Sequence, residues 1–342
     1  MRTIEITKPF EVRLTDQPMP VAGPGEALLR VLYCGICGAD VASYTGNQPF
    51  TTYPRIPGHE FSAQIVTVPD NDKGLKPGDL VTANPYFNCG ACYACRRGLV
   101  NACHDNQTMG VQRDGAYRDY IVMPAERLIP GKNCTARELA LIEPFAISAH
   151  ALSRAAVKPG DRVLIMGAGP IGLFALLRAK SMGAKAAVAD LLAHRLTLAG
   201  EYGADLVIDN GKDDLPALCR DFTEGGGFDV CVEACGAPTT FLTCIEQAAH
   251  GANVILIGNG KKETTFLHSV LLKKELNVFG SRNALTKDFE TLIGLVSDKK
   301  VDVTRMVSGV YEAEDAAAAF DALAHNDGTL AKLLIRFAED DT

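Results

Sequence analysis

The sequence predicts an α/β fold in two parts: an irregular β-rich portion and a doubly wound parallel sheet flanked by helices. Three observations predict it. From Arg162 onward, short apolar runs alternate with helical patterns, as strands buried on both faces do. The turn Gly167-Ala-Gly169-Pro170-Ile171-Gly172 joins the first of those runs to its helix. Before about residue 150 the texture differs, with short strands broken by prolines and glycines.

The elements follow in order. Met1–Phe10 alternates like a strand and has no signal-peptide core. Ala27–Leu32 and Gly78–Thr82 read as strands of the β-rich part. Ile142-Glu143-Pro144 starts a helix, and Val157–Asp161 is a turn. Then come strand Arg162–Met166, helix Ile171–Met182, strand Ala186–Asp190, a helix to Tyr202 and strand Leu206–Asp209. Helix Leu215–Phe222, strand Phe228–Glu233, helix Thr239–Ala249 and strands Asn253–Gly258 and Leu276–Gly280 continue the alternation. The tail adds helices at Asp288–Ser297 and Glu314–His325 and a strand at Ala331–Phe337. We expect this tail to return to the first part. The division is therefore residues 1–150 with 282–342, and 151–281 as a nucleotide domain inserted between them.

The chain has 342 residues, 47% hydrophobic and 22% charged, room for two ordinary domains. Net charge is −7 with no dense basic block, which argues against a nucleic-acid partner. No apolar run is long enough to span a bilayer.

Four of the eleven cysteines, Cys89, Cys92, Cys95 and Cys103, fall in one short loop. Two-residue gaps let a tight turn bring successive sulfurs onto one ion, and tetrahedral zinc takes four thiolates. Gly90, Gly98 and Asn101 supply the turn conformations. A disulfide framework suits short secreted chains instead. The reading is a structural zinc, which leaves no open position for chemistry. The cysteines at 34, 37, 134, 219, 231, 235 and 244 sit singly or among apolar residues, mostly as buried small hydrophobes. A reducing cytoplasm fits this usage.

The glycine turn has the strand before it and the helix after it that a dinucleotide site needs. Gly167 allows the tight turn, Gly169 lets backbone approach the pyrophosphate, and Gly172 lets the helix pack close. Asp190 ends the next strand, where a carboxylate binds ribose hydroxyls and repels a 2′-phosphate, so NAD is expected over NADP. Arg195 lies five residues on, which argues against that preference; as an alternative, it lines the adenine side. Asp190 also suits a helix N-cap.

A second donor set is scattered: Cys37, His59, Glu60 and Glu143. Cys, His and Glu suit a catalytic zinc with one position open. Taken singly, Cys37 and His59 are more often structural, and Glu143 a helix cap.

These residues together resemble the zinc-dependent medium-chain dehydrogenases. The resemblance runs through Gly-Ile-Cys37-Gly-Ala-Asp40, Gly58-His59-Glu60, the four-cysteine lobe, Asp114–Tyr120 and the glycine turn. Glu143-Pro-Phe-Ala-Ile-Ser-Ala-His150 is similar to the polyol and sorbitol dehydrogenase branch. Gly46–Phe50, Tyr53–Arg55 and Gly280–Asn283 look closer to L-galactonate or L-gulonate 5-dehydrogenases. The resemblance implies a GroES-like catalytic domain, a Rossmann NAD domain, and two zinc ions. Cys37, His59 and Glu60 would ligate the catalytic zinc, with Glu143 binding directly or through water and Asp40 orienting His59. Cys235, Ile257, Gly258, Arg282 and Lys332 would contact the coenzyme, Lys332 near the pyrophosphate; as an alternative, Lys332 is an exposed charge on an edge strand. It further implies a homodimer or homotetramer and reversible oxidation of a secondary alcohol in a polyhydroxy substrate. Asn47, Gln48, Arg55, Arg282 and Asn283 could supply polar partners, an arginine suiting a sugar-acid carboxylate.

One departure stands out. Family members carry a hydroxyl two residues after the zinc cysteine and often a histidine five after it, which pass the alcohol proton outward. Here Ala39 and Ala42 stand there, and neither carries a proton. Ser43, Tyr44, or a zinc-bound water with Glu60 or Glu143 would have to substitute. Three alternatives follow: a dehydrogenase of another polyol or alcohol, a zinc-free reductase of the same fold, or a non-catalytic NAD- and zinc-binding protein.

Overall fold

Six parallel strands and their helices occupy the middle of the chain, where the apolar runs place them. The computed structural model describes residues 1–339. Two units emerge: one takes Met1–Glu143 and the chain from Leu285 onward, the other Pro144–Ala284.

In the second unit the sheet order is Leu206–Asp209, Lys185–Asp190, Arg162–Met166, Phe228–Glu233, Ala248–Leu256 and Asn277–Gly280, every pair parallel. Val163, Leu164, Ile165 and Val188 are fully buried, as strands covered on both faces must be. The order reverses between Arg162–Met166 and Phe228–Glu233. Ligands of doubly wound sheets bind outside the strands' carboxyl ends at such a reversal.

Two boundaries differ from expectation. The helix expected over 239–249 is Pro238–Gln247, and Ala248 already begins a strand. Ala248 pairs with Phe228 and is buried, so sheet pairing takes it from the helix. The register shift between Phe228 and Val230 accommodates the extra residues before Asn253. The helix expected over 314–325 is a short 3₁₀ turn, Ala313–Asp315, followed by Ala316–Ala324.

In the first unit a seven-stranded sheet is built around Glu26–Gly35, which alternates buried and half-buried residues at its start. It pairs antiparallel with Glu60–Thr67, with Tyr120–Pro124 and with the tail strand Lys332–Arg336. The tail strand lies inside the sheet, between Glu26–Gly35 and Val307–Glu312. Leu29, Val31, Phe61, Ala63 and Tyr117 form part of a core with no exposed surface. Three strand ends therefore meet: Gly35 faces Glu60 across one pair and Leu334 across the other.

Among the described residues no helix is long and apolar enough to cross a membrane.

Candidate metal and coenzyme sites

Cys37 follows the Glu26–Gly35 strand as N-cap of helix Gly38–Tyr44. Asp40, fully buried, accepts the Cys37 amide at 2.9 Å and the Gly58 amide at 3.3 Å. One carboxylate thus ties together the two loops that carry Cys37 and His59. Gly58 has φ +99°, and an added Cβ would lie 2.4 Å from the Tyr117 ring and 2.8 Å from Cys34 Sγ. Only glycine fits that bend.

Ligand atoms of Cys37, His59 and Glu60 all lie within 4.8 Å of one another. His59 Nδ1 is buried without a hydrogen-bond partner, 3.9 Å from Asp40 Oδ1. That exceeds hydrogen-bond length, so Asp40 acts on His59 through the Gly58 backbone and by its charge. Opposite Glu60, a Cβ on Gly35 would meet Glu60 Oε2 at 2.4 Å. The absence of a side chain there gives the carboxylate its room.

Lys332 is 4% exposed and donates to both Glu60 oxygens, and to Ile36 O at 3.2 Å. It is not an exposed charge on an edge strand. Its partners are Glu60, in a buried ion pair, and the Ile36 carbonyl. Burial pushes the Lys332 ammonium down, and Glu60 and Cys37 outweigh that and raise it.

Glu143, in the first turn of helix Ile142–Arg154, is buried and accepts the Tyr86 phenol. Its carboxyl is pushed up to about 7, chiefly by burial, with His59 opposing and Glu60 adding to the rise. Burial likewise raises the Cys37 thiol. Burial thus holds these groups toward their neutral forms, and Lys332 balances Glu60. This donor set fits a divalent zinc, which binds thiolate, imidazole and carboxylate.

The four-cysteine loop fits a second zinc. Its sulfurs converge within 4.8 Å, with Cys92 Sγ and Cys103 Sγ 3.9 Å apart. Four sulfurs at zinc-thiolate distance sit about 3.8 Å from each other. Backbone amides of Cys89 and Cys92 point at Cys103 Sγ and Cys89 Sγ, at 3.2 and 3.3 Å. Hydrogen bonds from the Cys95 and His104 amides hold the Cys92 thiol down to about 6, while burial pushes Cys103 up to about 11.

In the second unit, Gly169 is the N-cap of helix Pro170–Ser181, with Pro170 in its first turn. A Cβ on Gly172 would fall 1.8 Å from Gly167 O, so the helix start lies directly on the turn. A Cβ on Gly169 would meet only Arg195 Nη1, at 3.9 Å. Asp190 accepts the Ala168 amide at 2.7 Å and those of Leu191 and Leu192 at 2.8 and 3.0 Å. It therefore fixes the glycine turn as well as ending its strand. Leu192, not Asp190, is the N-cap of Ala193–Glu201. Arg195 Nη1 stands 3.8 Å from Asp190 Oδ2. Cys235, exposed, reaches Met166 O at 3.3 Å beside Gly167. The Ile257 and Gly258 amides both donate to Glu233 O, at 2.9 and 3.0 Å. Arg282 falls just beyond the Asn277–Gly280 strand.

Two residues escape sequence reasoning. Glu233, 2% exposed, accepts the Cys235 and Gly236 amides and the Thr240 hydroxyl at 2.9, 2.8 and 2.7 Å, and so shapes the loop beside the glycine turn. Its signal was a charge ending the apolar run Val230-Cys231-Val232. Tyr86, between Pro85 and Phe87, carried no signal at all. Of the expected substrate partners, Arg55 is committed to Asp114 Oδ1 at 3.0 Å and Thr52 Oγ1 at 2.7 Å, and Asn47 to Thr45 Oγ1 at 3.1 Å.

Residues 23–133 match the family model for the alcohol dehydrogenase GroES-like domain, and residues 170–298 that for zinc-binding dehydrogenases. The chain is 35% identical to L-galactonate-5-dehydrogenase of Escherichia coli K12, over 98% of this chain and 99% of that one. It is 32% identical to sorbitol dehydrogenase of Halalkalibacterium halodurans, over 94% of each. Among solved structures, an alcohol dehydrogenase (rspB) of E. coli CFT073 complexed with the cofactor NADH superposes with TM-score 0.90. It is 29% identical, covering 98% of this chain and 99% of that one.

Proposed function

The chain belongs to the zinc-binding alcohol dehydrogenases with a GroES-like domain, an oxidoreductase family, and from that premise we propose its reaction. It transfers hydride between NAD and a secondary alcohol of a sugar acid such as L-gulonate or L-galactonate, or of a related polyol. The observation that carries this reading is the buried convergence of Cys37, His59 and Glu60 within 4.8 Å.

Bound there, zinc supplies Lewis acidity toward the substrate hydroxyl, and NAD accepts the hydride. The chain's own residues do the rest. Cys37, His59 and Glu60 would hold the metal, with Glu143 reaching it directly or through water. Asp40 keeps the Cys37 and His59 loops in register. Lys332 neutralises Glu60 when the metal does not. The Gly169 amide and the start of its helix offer donors to a pyrophosphate, and Asp190 favours a ribose without a 2′-phosphate. The side chains at positions 39 and 42 carry no proton. The Ser43 hydroxyl on this helix is buried and bonds Ala39 O at 3.1 Å and Thr51 Oγ1, beyond the helix, at 2.7 Å; we propose this pair as the substitute proton path.

The Asn277–Gly280 strand ends the six-stranded sheet with Val278 exposed. Pairing of this edge with a second copy would make the chain a homodimer, or a homotetramer by further contacts, in the cytoplasm.

The test is NADH formation from L-gulonate, L-galactonate and sorbitol, each with NAD and NADP. Faster turnover of an aldonate with NAD supports the reading. Preference for sorbitol sinks the sugar-acid assignment, and preference for NADP sinks the role of Asp190. A second reading, coenzyme and zinc binding without catalysis, is favoured by Ala39 and Ala42 alone. NAD binding with no turnover across a broad alcohol panel would establish it.

A further inference from the structure

Tyr86 is a buried residue beside the metal cluster that the reaction above does not use. Its phenol donates to Glu143 Oε1. The tyrosine is gripped from its backbone: its amide donates to Asn84 Oδ1 at 3.0 Å, and its carbonyl accepts Arg127 Nη1 at 2.9 Å. The next side chain, Phe87, lies against two guanidinium groups, with Arg113 and Arg127 at 3.7 and 4.3 Å from its ring centroid. Asn88 then accepts Arg127 Nη2 at 3.2 Å and reaches Cys95 Sγ at 3.8 Å, and Cys89 follows. One short segment thus runs from the four-cysteine loop to the Glu143 carboxylate, fixed at each residue.

Glutamate has three rotatable side-chain bonds, and a tyrosine pinned this firmly selects among its rotamers. We propose that Tyr86 is a positioning residue for the metal: its phenol holds one oxygen of Glu143 and so sets how that carboxylate meets the ion held by Cys37, His59 and Glu60. Groups that orient ligands in this way change metal affinity by about 10–100-fold when removed. The inference rests on the catalytic-metal reading of that cluster.

Cobalt(II) loaded into the full-length protein tests it, because its visible spectrum reports the ligands directly. Tyr86→Phe keeps the ring and its packing and removes only the donor. The expected result is a shifted cobalt spectrum and about 10-fold or greater weakening of cobalt affinity, with zinc in the four-cysteine loop retained. The double variant Tyr86→Phe/Glu143→Gln is expected to reproduce the Glu143→Gln spectrum, since Tyr86 acts only through Glu143. A Tyr86→Phe protein with wild-type spectrum and affinity overturns the proposal. So does a double variant whose changes are the sum of the two singles, or a Tyr86→Phe protein that does not fold. A wild-type chain that takes up one metal rather than two overturns the metal reading and this inference together; two metals with an unmoved Tyr86→Phe spectrum overturn this inference alone.

Discussion

The four-cysteine loop and the Cys37–His59–Glu60 cluster each bring their donors within 4.8 Å, yet they are assembled in opposite ways. The loop draws on a stretch from Cys89 to Cys103, and its own amides point at its own sulfurs. The cluster is made where three strands of one sheet end, and the contact that neutralises Glu60 spans 272 residues of sequence. The loop's Cys89 is exposed, whereas His59 and Glu60 are buried. A local site depends on turn geometry and its metal. An assembled site depends on strand register, and its charges must be balanced before any metal arrives.

The largest expected effect breaks the loop. Cys103→Ser should release one zinc per chain and cost on the order of 4 kcal/mol or more, read by metal content and thermal melting. An unchanged melt would mean that the loop folds without its metal and is no self-contained site. Next comes the charge balance of the assembled site. Lys332→Met leaves the Glu60 carboxylate buried without its cation and should destabilise the protein by about 3–5 kcal/mol, read by urea unfolding. A loss below about 1 kcal/mol would show that Glu60 is balanced elsewhere.

Acid should sharpen the contrast most gently. Zinc requires thiolates, and the Cys92 thiol is held down to about 6. Above that pH Cys92 is already deprotonated and binding displaces none of its proton; below it, protonation competes with the metal. Zinc affinity of the loop should therefore fall by at least about tenfold per pH unit below about 6, measured with a chromogenic chelator. Affinity that is flat through this range would contradict the thiolate assignment of Cys92.

The same contrast explains what was legible in the sequence. Cysteine spacing exposed the loop, because local sites leave their geometry in the numbering. The strands Arg162–Met166, Leu206–Asp209 and Phe228–Glu233 were legible because strands buried on both faces read as unbroken apolar runs. Cys37, His59, Glu60 and Glu143 were legible as zinc-ligating residue types, but they lie far apart in the numbering, and the family resemblance was needed to assign them to one ion. The alternative of Lys332 as an exposed edge charge fails, because nothing local shows that its strand lies inside the sheet and that the side chain meets Glu60. Tyr86 was missed for the same reason: its meaning lies in a carboxylate 57 residues away. The end of the helix before Ala248 was misjudged because pairing with Phe228, a tertiary effect, overrode a continuing helical pattern.

The central claim is that the buried cluster, not the loop, holds the metal that does chemistry. Cys37→Ala tests it most directly, with zinc content, NAD binding and NADH formation measured on one preparation. The expected result is two zinc ions per wild-type chain and one in the variant, NAD affinity within about twofold of wild type, and turnover reduced by a factor on the order of 10³ or more. Full turnover in a Cys37→Ala chain that has demonstrably lost that zinc would contradict it.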